Sequence, residues 1–222
     1  MKAKPGQTAR LRDRQRELAG RVERVDRLQW PPRHVAAVDC AFPDRGRLTR
    51  AAAVLFDFKN LECVAEAVSE MPTVLPYIPG LLSFRELPAM LEALDRLPET
   101  PDVVLCDGQG IAHPRRFGVA CHLGVETGLP TVGVGKSRLC GTHREPGRDK
   151  GSTEPLIDQE EKIGMVVRTR TGVRPLYVSV GHRVRLNTAV ELVLACTSRY
   201  RLPEPIRAAD KLAGQSSAKC SR

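Results

Sequence analysis

None of the seven cysteines pairs with another in a C-x-x-C motif, and none joins a histidine at zinc-binding spacing, so a structural zinc site is excluded. Cys40, Cys63, Cys106 and Cys196 lie instead in apolar runs, where a free cysteine behaves as a small hydrophobe. The amino-terminal MKAKPGQTAR has no apolar core of the kind a secretory signal needs. The longest strictly apolar run, Ala51 to Phe56, is far too short to span a bilayer. A reduced, cytoplasmic protein with no membrane partner is expected. Two nucleotide-binding motifs are also missing a glycine. TVGVGKSRL ends like a phosphate-binding loop, yet Pro130 stands where the first glycine of G-x-x-x-x-G-K-[ST] belongs. Gly108-Gln109-Gly110 leads to His113 where a dinucleotide fingerprint requires glycine. No Ser/His/Asp nucleophile arrangement and no internal repeat stand out. Aromatic residues are few, 4% of the chain.

Positive charge, by contrast, is in excess and unevenly placed. The chain of 222 residues carries a formal net charge of +9. Residues 1–33 hold ten Lys/Arg against four Asp/Glu, a surplus of six. Such a basic arm is the electrostatic footprint of a phosphate-rich partner, although a solvated basic helix would look the same. The length suits one full core, so a single domain over residues 1–214 is expected, with a disordered tail at 215–222.

Hydrophobic periodicity predicts a helix from Arg10 to Leu28, stopped by Trp30-Pro31-Pro32. Three β-type segments follow, Val35–Phe42, Ala51–Phe58 and Leu61–Ser69, joined so closely that an antiparallel meander is implied. A helix starts near Ser83, with Leu87, Met90, Leu91, Leu94 and Leu97 on one face. Val103–Cys106, a helix over Phe117 to Thr127 and Thr131–Val134 form a strand–helix–strand unit, hence a parallel pair. Cys140 to Glu161 reads as an irregular excursion. Ile163–Arg168 and Leu176–Val180 then precede helices over Asn187 to Tyr200 and Pro203 to Ala213. The sum is an α/β fold: a mixed sheet of the ribonuclease H-like kind, flanked by helices.

Carboxylates interrupt this pattern in telling places. Asp39 sits in the middle of VAAVDCAF, where a lone charge would pay heavily for lost solvation. Asp107 ends a buried strand, the position at which ligand sites form in sheets with parallel strands. If these strands are neighbours, two like charges meet and require a cation, and oxygen-only ligands suit Mg²⁺ or Mn²⁺. Glu86 has two readings. It completes S-x-x-E with Ser83, a capping box, or it faces the same site. Asp210 lies one turn after Ile206 on the last helix and is either inward-facing or an exposed acid beside Lys211. Lys136 follows a buried strand and can aim its ammonium at a phosphate. In LPYIPGLL, Pro76 and Pro79 stiffen a loop presenting Tyr77 and Ile78. That loop is either a wedge of the type that props DNA bases apart or a turn whose tyrosine packs on the core.

Taken together, VDCAF, PYIPGLLSFRE, LCDGQGIAHPRRFGVACHLGV, TVGVGKSRL and VGHRVRLNTAVEL resemble the endonuclease V family, in order from about Val35 to Leu212. The resemblance implies a Mg²⁺-dependent endodeoxyribonuclease, with Mn²⁺ as a substitute, acting in DNA repair on deoxyinosine, the product of adenine deamination. Cleavage falls at the second phosphodiester 3′ to the lesion and leaves 3′-hydroxyl and 5′-phosphate ends. Asp39 and Asp107 match the metal carboxylates, Glu86 the acid that completes the site, and Asp210 a further metal position that varies within the family. Tyr77, within Pro76–Pro79, matches the wedge, and Lys136 the lysine beside the scissile phosphate. Leu82 and Gly108 fall where the everted hypoxanthine lodges, and His113 where a polar residue lines the site. Val180 stands where proline is frequent, which bears on a turn near His182. The implied partner is damaged DNA, single- or double-stranded, bound by a monomer. An endoribonuclease acting on inosine in RNA is the alternative. A catalytically silent binding module would lack a carboxylate, and none is lacking.

Overall fold

The structure, a computed structural model, describes residues 5–215. Its centre is a meander. Strand β1 (His34–Ala41) turns through a single left-handed turn, α2 (Pro43–Gly46), into β2 (Leu48–Asp57), which runs antiparallel to it. Strand β3 (Glu62–Pro72) pairs antiparallel with β2. The chain then passes through helix α3 (Ser83–Asp95) to β4 (Val103–Asp107), parallel to β1. Helix α4 (Val119–Thr127) crosses over to β5 (Thr131–Gly135), parallel to β4. Three further strands, β6 (Thr153–Asp158), β7 (Glu161–Val167) and β8 (Leu176–His182), attach antiparallel through β8 to β5. The eight strands lie in the order β3-β2-β1-β4-β5-β8-β7-β6. This is the ribonuclease H-like mixed sheet that the sequence pattern predicts.

Side chains alternate across the central strands, and both sets are buried. Val35, Ala37, Val103 and Leu105 face helices α5 (Leu186–Ala195) and α6 (Glu204–Ala213). Ala36, Val38, Val104 and Cys106 face α3 and α4. The amino-terminal helix α1 (Gln7–Ala19) docks beside α4 through Leu18, which is buried with Phe117 and Cys121.

Three expectations are corrected. Helix α1 ends at Ala19, not Leu28, because residues 20–28 find tertiary partners instead. Glu23 N–H donates to His182 Nδ1, Arg183 N–H to the Glu23 carbonyl, and Arg27 N–H to the Arg183 carbonyl. The stretch 140–161 is not all irregular, since it contains β6. As the edge strand, β6 buries little beyond Leu156 and tolerates Pro155, and its hairpin turn uses Gln159 and Glu160 at positive φ without glycine. Helix α5 stops at Ala195, five residues early, where the Thr197 hydroxyl donates back to the Val193 carbonyl and the Cys196 carbonyl accepts from Glu204. Val180 lies inside β8, and the turn expected near His182 follows at the end of that strand, where Arg183 has positive φ. Of the tail at 215–222, all but Gln215 falls outside the described residues.

Candidate active site

The two-residue period of a strand decides where Asp39 and Asp107 point. Each is two residues past Ala37 and Leu105 respectively, so both face the side that α6 covers. The parallel register pairs Val38 with Cys106, and one step further brings the two carboxylates level. Helix α6 buries Ile206 and Ala209 against the same face and delivers Asp210. Carboxylate oxygens of Asp39, Asp107 and Asp210 all lie within 4.8 Å of one another, the one such potential metal-binding group among the described residues.

This crowding is electrostatically expensive. Burial, then the charge of Asp107, pushes the Asp39 carboxyl up to about 7, although the Cys40 N–H donates to its Oδ1 at 2.8 Å. Burial also raises Asp107. Glu86 approaches from α3, on the other side of the sheet. It is buried, and burial, then Asp39 and Asp107, push it up to about 8. It stands outside the three-oxygen cluster but within its field. The capping box is not formed: the helix cap is Leu82, and the Ser83 hydroxyl instead meets His122 Nδ1 at 3.1 Å.

Lys136, just beyond β5, reaches into the cluster. Its Nζ lies 2.5 Å from Asp107 Oδ2 and 2.8 Å from Asp210 Oδ1. Burial opposes its charge, but the two carboxylates outweigh that and hold it above the usual lysine range. The Arg201 guanidinium donates to the Lys136 carbonyl at 2.6 Å and to that of Pro175 at 2.8 Å, fixing the backbone from which the lysine projects. Lys136 thus contacts two of the cluster's three carboxylates, and Glu86 adds a fourth acid nearby. An all-oxygen set with this negative excess fits a hard divalent cation.

A cleft of about 180 Å³ opens beside Asp107 and Glu86. Gly108 forms part of its floor, where a Cβ would lie 2.7 Å from Val119 Cγ1, so only glycine keeps that floor open. Leu82 and Ser83, at the start of α3, form one wall and present the first-turn N–H groups that a helix cannot satisfy itself. His113 lines the cleft, buried, and its Nδ1 accepts the Arg115 N–H at 3.1 Å, so the ring proton sits on Nε2. Burial, then the charge of Arg115, holds His113 down to about 4, keeping it neutral. Tyr77 stands at the rim, 65% exposed, and does not pack on the core. Pro76, Ile78 and Pro79 shape its loop without lining the cleft.

The structure therefore gathers Asp39, Asp107, Asp210 and Lys136 at one point, sets Glu86, Leu82, Gly108 and His113 around the adjoining cleft, and leaves Tyr77 at its edge. Two polar cleft residues, Gln109 and Gln15, escaped the sequence reading as members of the site. Gln109 donates to the Ser137 carbonyl at 2.9 Å, while its Oε1 is buried without a hydrogen-bond partner. Gln15, from α1, is 1% exposed; its signal was a polar residue within the apolar stripe of Leu11 and Leu18. An open groove of about 590 Å³ between Leu97, Pro101 and Leu129 lies away from this site and holds none of these groups.

The chain is similar to known proteins over most of its length. The family model described as Endonuclease V matches residues 16–211. The endonuclease V of Azotobacter vinelandii is 56% identical over 211 residues, covering 95% of each chain. The crystal structure of endonuclease V from Streptomyces avermitilis superposes with a TM-score of 0.88 at 47% identity, covering 92% of this chain and 90% of that one. That of Ciona intestinalis endonuclease V, in complex with a 23mer DNA containing an inosine followed by a ribo-adenosine, superposes with a TM-score of 0.84 at 28% identity, covering 95% and 97%.

Proposed function

The chain belongs to the endonuclease V family, and from that membership we propose that it is a Mg²⁺-dependent repair endonuclease recognising deoxyinosine in DNA. It hydrolyses the second phosphodiester on the 3′ side of the lesion, leaving 3′-hydroxyl and 5′-phosphate ends. The observation that carries this reading is the junction of a three-carboxylate cluster, offset by one lysine alone, with a cleft of about 180 Å³.

Asp39, Asp107 and Asp210 would hold the cation, with Glu86 completing its surroundings. When bound, Mg²⁺ (or Mn²⁺) supplies charge beside the phosphate and acidifies a water. The chain's own groups do the rest. Lys136 leaves its carboxylate partners to offset charge on the scissile phosphate. Tyr77, held out by Pro76 and Pro79, fills the gap left by the everted base. Hypoxanthine carries an oxygen where adenine has an amine, so backbone N–H donors at Leu82 and Ser83 select it. Neutral His113 lines the cleft as a polar residue. Everting a base costs a few kcal/mol, and less when it is mispaired, which adds to selection. The exposed arginines of α1 attract the phosphate backbone. The protein works in the cytoplasm as a monomer and as one catalytic domain; no helix among the described residues is long and apolar enough to cross a membrane.

The deciding experiment is a nicking assay on a duplex with one inosine, with and without Mg²⁺. Mg²⁺-dependent nicking is expected, and intact inosine duplex in the presence of Mg²⁺ refutes the proposal. The ribonucleotide that follows the inosine in the Ciona intestinalis complex favours a second reading, cleavage of inosine-containing RNA. Matched DNA and RNA oligonucleotides separate the two.

A further inference from the structure

The buried side chains of α1 are Leu18, which packs in the core, and Gln15, which does not. Gln15 Nε2 donates to the Gly80 carbonyl at 3.0 Å and to the Phe117 carbonyl at 2.7 Å. Its Oε1 accepts from Arg115 Nε, and Arg115 Nη2 donates to the same Gly80 carbonyl at 2.7 Å. The amide orientation is forced, because a flip would set its oxygen against two carbonyls and its nitrogen against a guanidinium. All three polar positions of the side chain are therefore used.

What Gln15 joins is informative. Gly80 closes the loop that carries Tyr77 and leads into Leu82 and Ser83, one wall of the cleft. Phe117 leads into Gly118 and Val119, the opposite wall, and Val119 already abuts Gly108. At Gly80 the packing is so close that a Cβ would lie 2.5 Å from Arg115 Nη2, and its φ of 75° also requires glycine. One buried amide thus spans the gap between two walls that no strand pairing connects.

We propose that Gln15 is a positioning residue that sets the separation of these walls and thereby the preference of the cleft for hypoxanthine over adenine. This rests on the reading that the cleft receives the everted base. Without the amide, the buried Phe117 carbonyl loses its donor and the Gly80 carbonyl is left with Arg115 alone, so the Gly80 wall is no longer tied to the Phe117 wall and relaxes towards water. A donor displaced by a fraction of an ångström still admits a purine but discriminates its 6-substituent poorly.

The test uses Gln15→Glu, which keeps shape and the Arg115 partner but replaces both N–H donors by oxygen, together with Gln15→Ala. Affinity for inosine-containing and undamaged duplexes is measured without metal. The preference for inosine is expected to fall about tenfold in both variants, the scale of one or two net hydrogen bonds. With Mg²⁺, the loss appears in KM more than in kcat. Amide exchange at Gly80 to Ser83 in the free protein is expected to quicken in Gln15→Glu. A folded variant with the wild-type preference overturns the proposal, and so does unchanged exchange at these amides. Absence of any inosine preference in the wild type sinks the proposed function instead, and the exchange measurement still decides whether Gln15 clamps the wall.

Discussion

Two charged clusters in this molecule both set carboxylates against basic side chains and differ in their arithmetic. In one, Arg116 pairs with Asp158 at 2.8 Å and with Glu161 at 2.6 Å, and Arg24 pairs with the other oxygen of Glu161 at 2.5 Å. Two cations meet two acids. Burial acts to raise Glu161, but hydrogen bonds from Arg24 and Arg116 outweigh it and hold the carboxyl below its usual range. In the other, Asp39, Asp107 and Asp210 converge with Glu86 nearby, Lys136 pairs with Asp107 and Asp210 alone, and Asp39 and Glu86 are pushed far up. The first cluster ties the segment after α1, the loop before α4 and the β6–β7 hairpin to one another and asks for nothing more. The second is left short of positive charge at the end of strands whose buried Val and Ala residues, at about 1.5–3 kcal/mol for each large side chain, can carry the cost. Balance marks a structural joint, and imbalance marks the place where something from outside is needed.

The strongest way to break this contrast is Asp107→Ala. It removes the carboxylate that joins cluster, lysine and cleft, and nicking of an inosine duplex in Mg²⁺ is expected to fall by at least about 10³-fold while binding stays measurable. Nicking at the wild-type rate would show that the imbalance has no catalytic purpose.

A smaller effect follows from pH. Asp39 and Glu86 titrate at about 7 and about 8 in the folded protein, against ordinary values of 3.8 and 4.5. Between those limits the folded state keeps protons that the unfolded chain has released, so raising the pH favours unfolding. Stability fully present below about pH 4 is therefore lost as the pH rises through 7 to 8. A loss of the order of 2–4 kcal/mol is expected without metal, and Mg²⁺ should restore it. Thermal melts at pH 5 and pH 8, in EDTA and in Mg²⁺, read this directly. A melting temperature that climbs from pH 5 to pH 8 in EDTA would contradict the account.

How much of this was legible in the sequence depended on the range of the forces involved. Strand patterning exposed Asp39 and Asp107, because a charge in an apolar run is conspicuous whatever it meets. The meander and the parallel pair followed from connection lengths. Glu86 stayed ambiguous, since S-x-x-E is a valid local motif and only the long-range contact of Ser83 with His122 removes it. Edge strand β6 was invisible because a polar strand with proline needs the neighbouring β7 to define it. Gln15 looked like one more polar residue on a basic helix. Its role depends on carbonyls 65 and 102 residues away, which no local pattern encodes.

The sharpest form of the comparison applies one chemical change, carboxylate to amide, to each cluster. Asp39→Asn removes a negative charge that burial and Asp107 oppose, so the metal-free protein at pH 8 should become more stable and lose part of its pH dependence. Glu161→Gln removes a charge that two arginines favour, so stability should fall, by no more than about 1 kcal/mol, because the carboxylate is partly exposed and solvent screens the pair. For a chain of this size that is a drop of about 2–4 °C in melting temperature, shrinking at high salt. Cleavage in Mg²⁺ should survive Glu161→Gln and be lost in Asp39→Asn. Two shifts of the same sign in EDTA would mean that the clusters differ in exposure alone, and the inference from charge imbalance to cation site would fall with them.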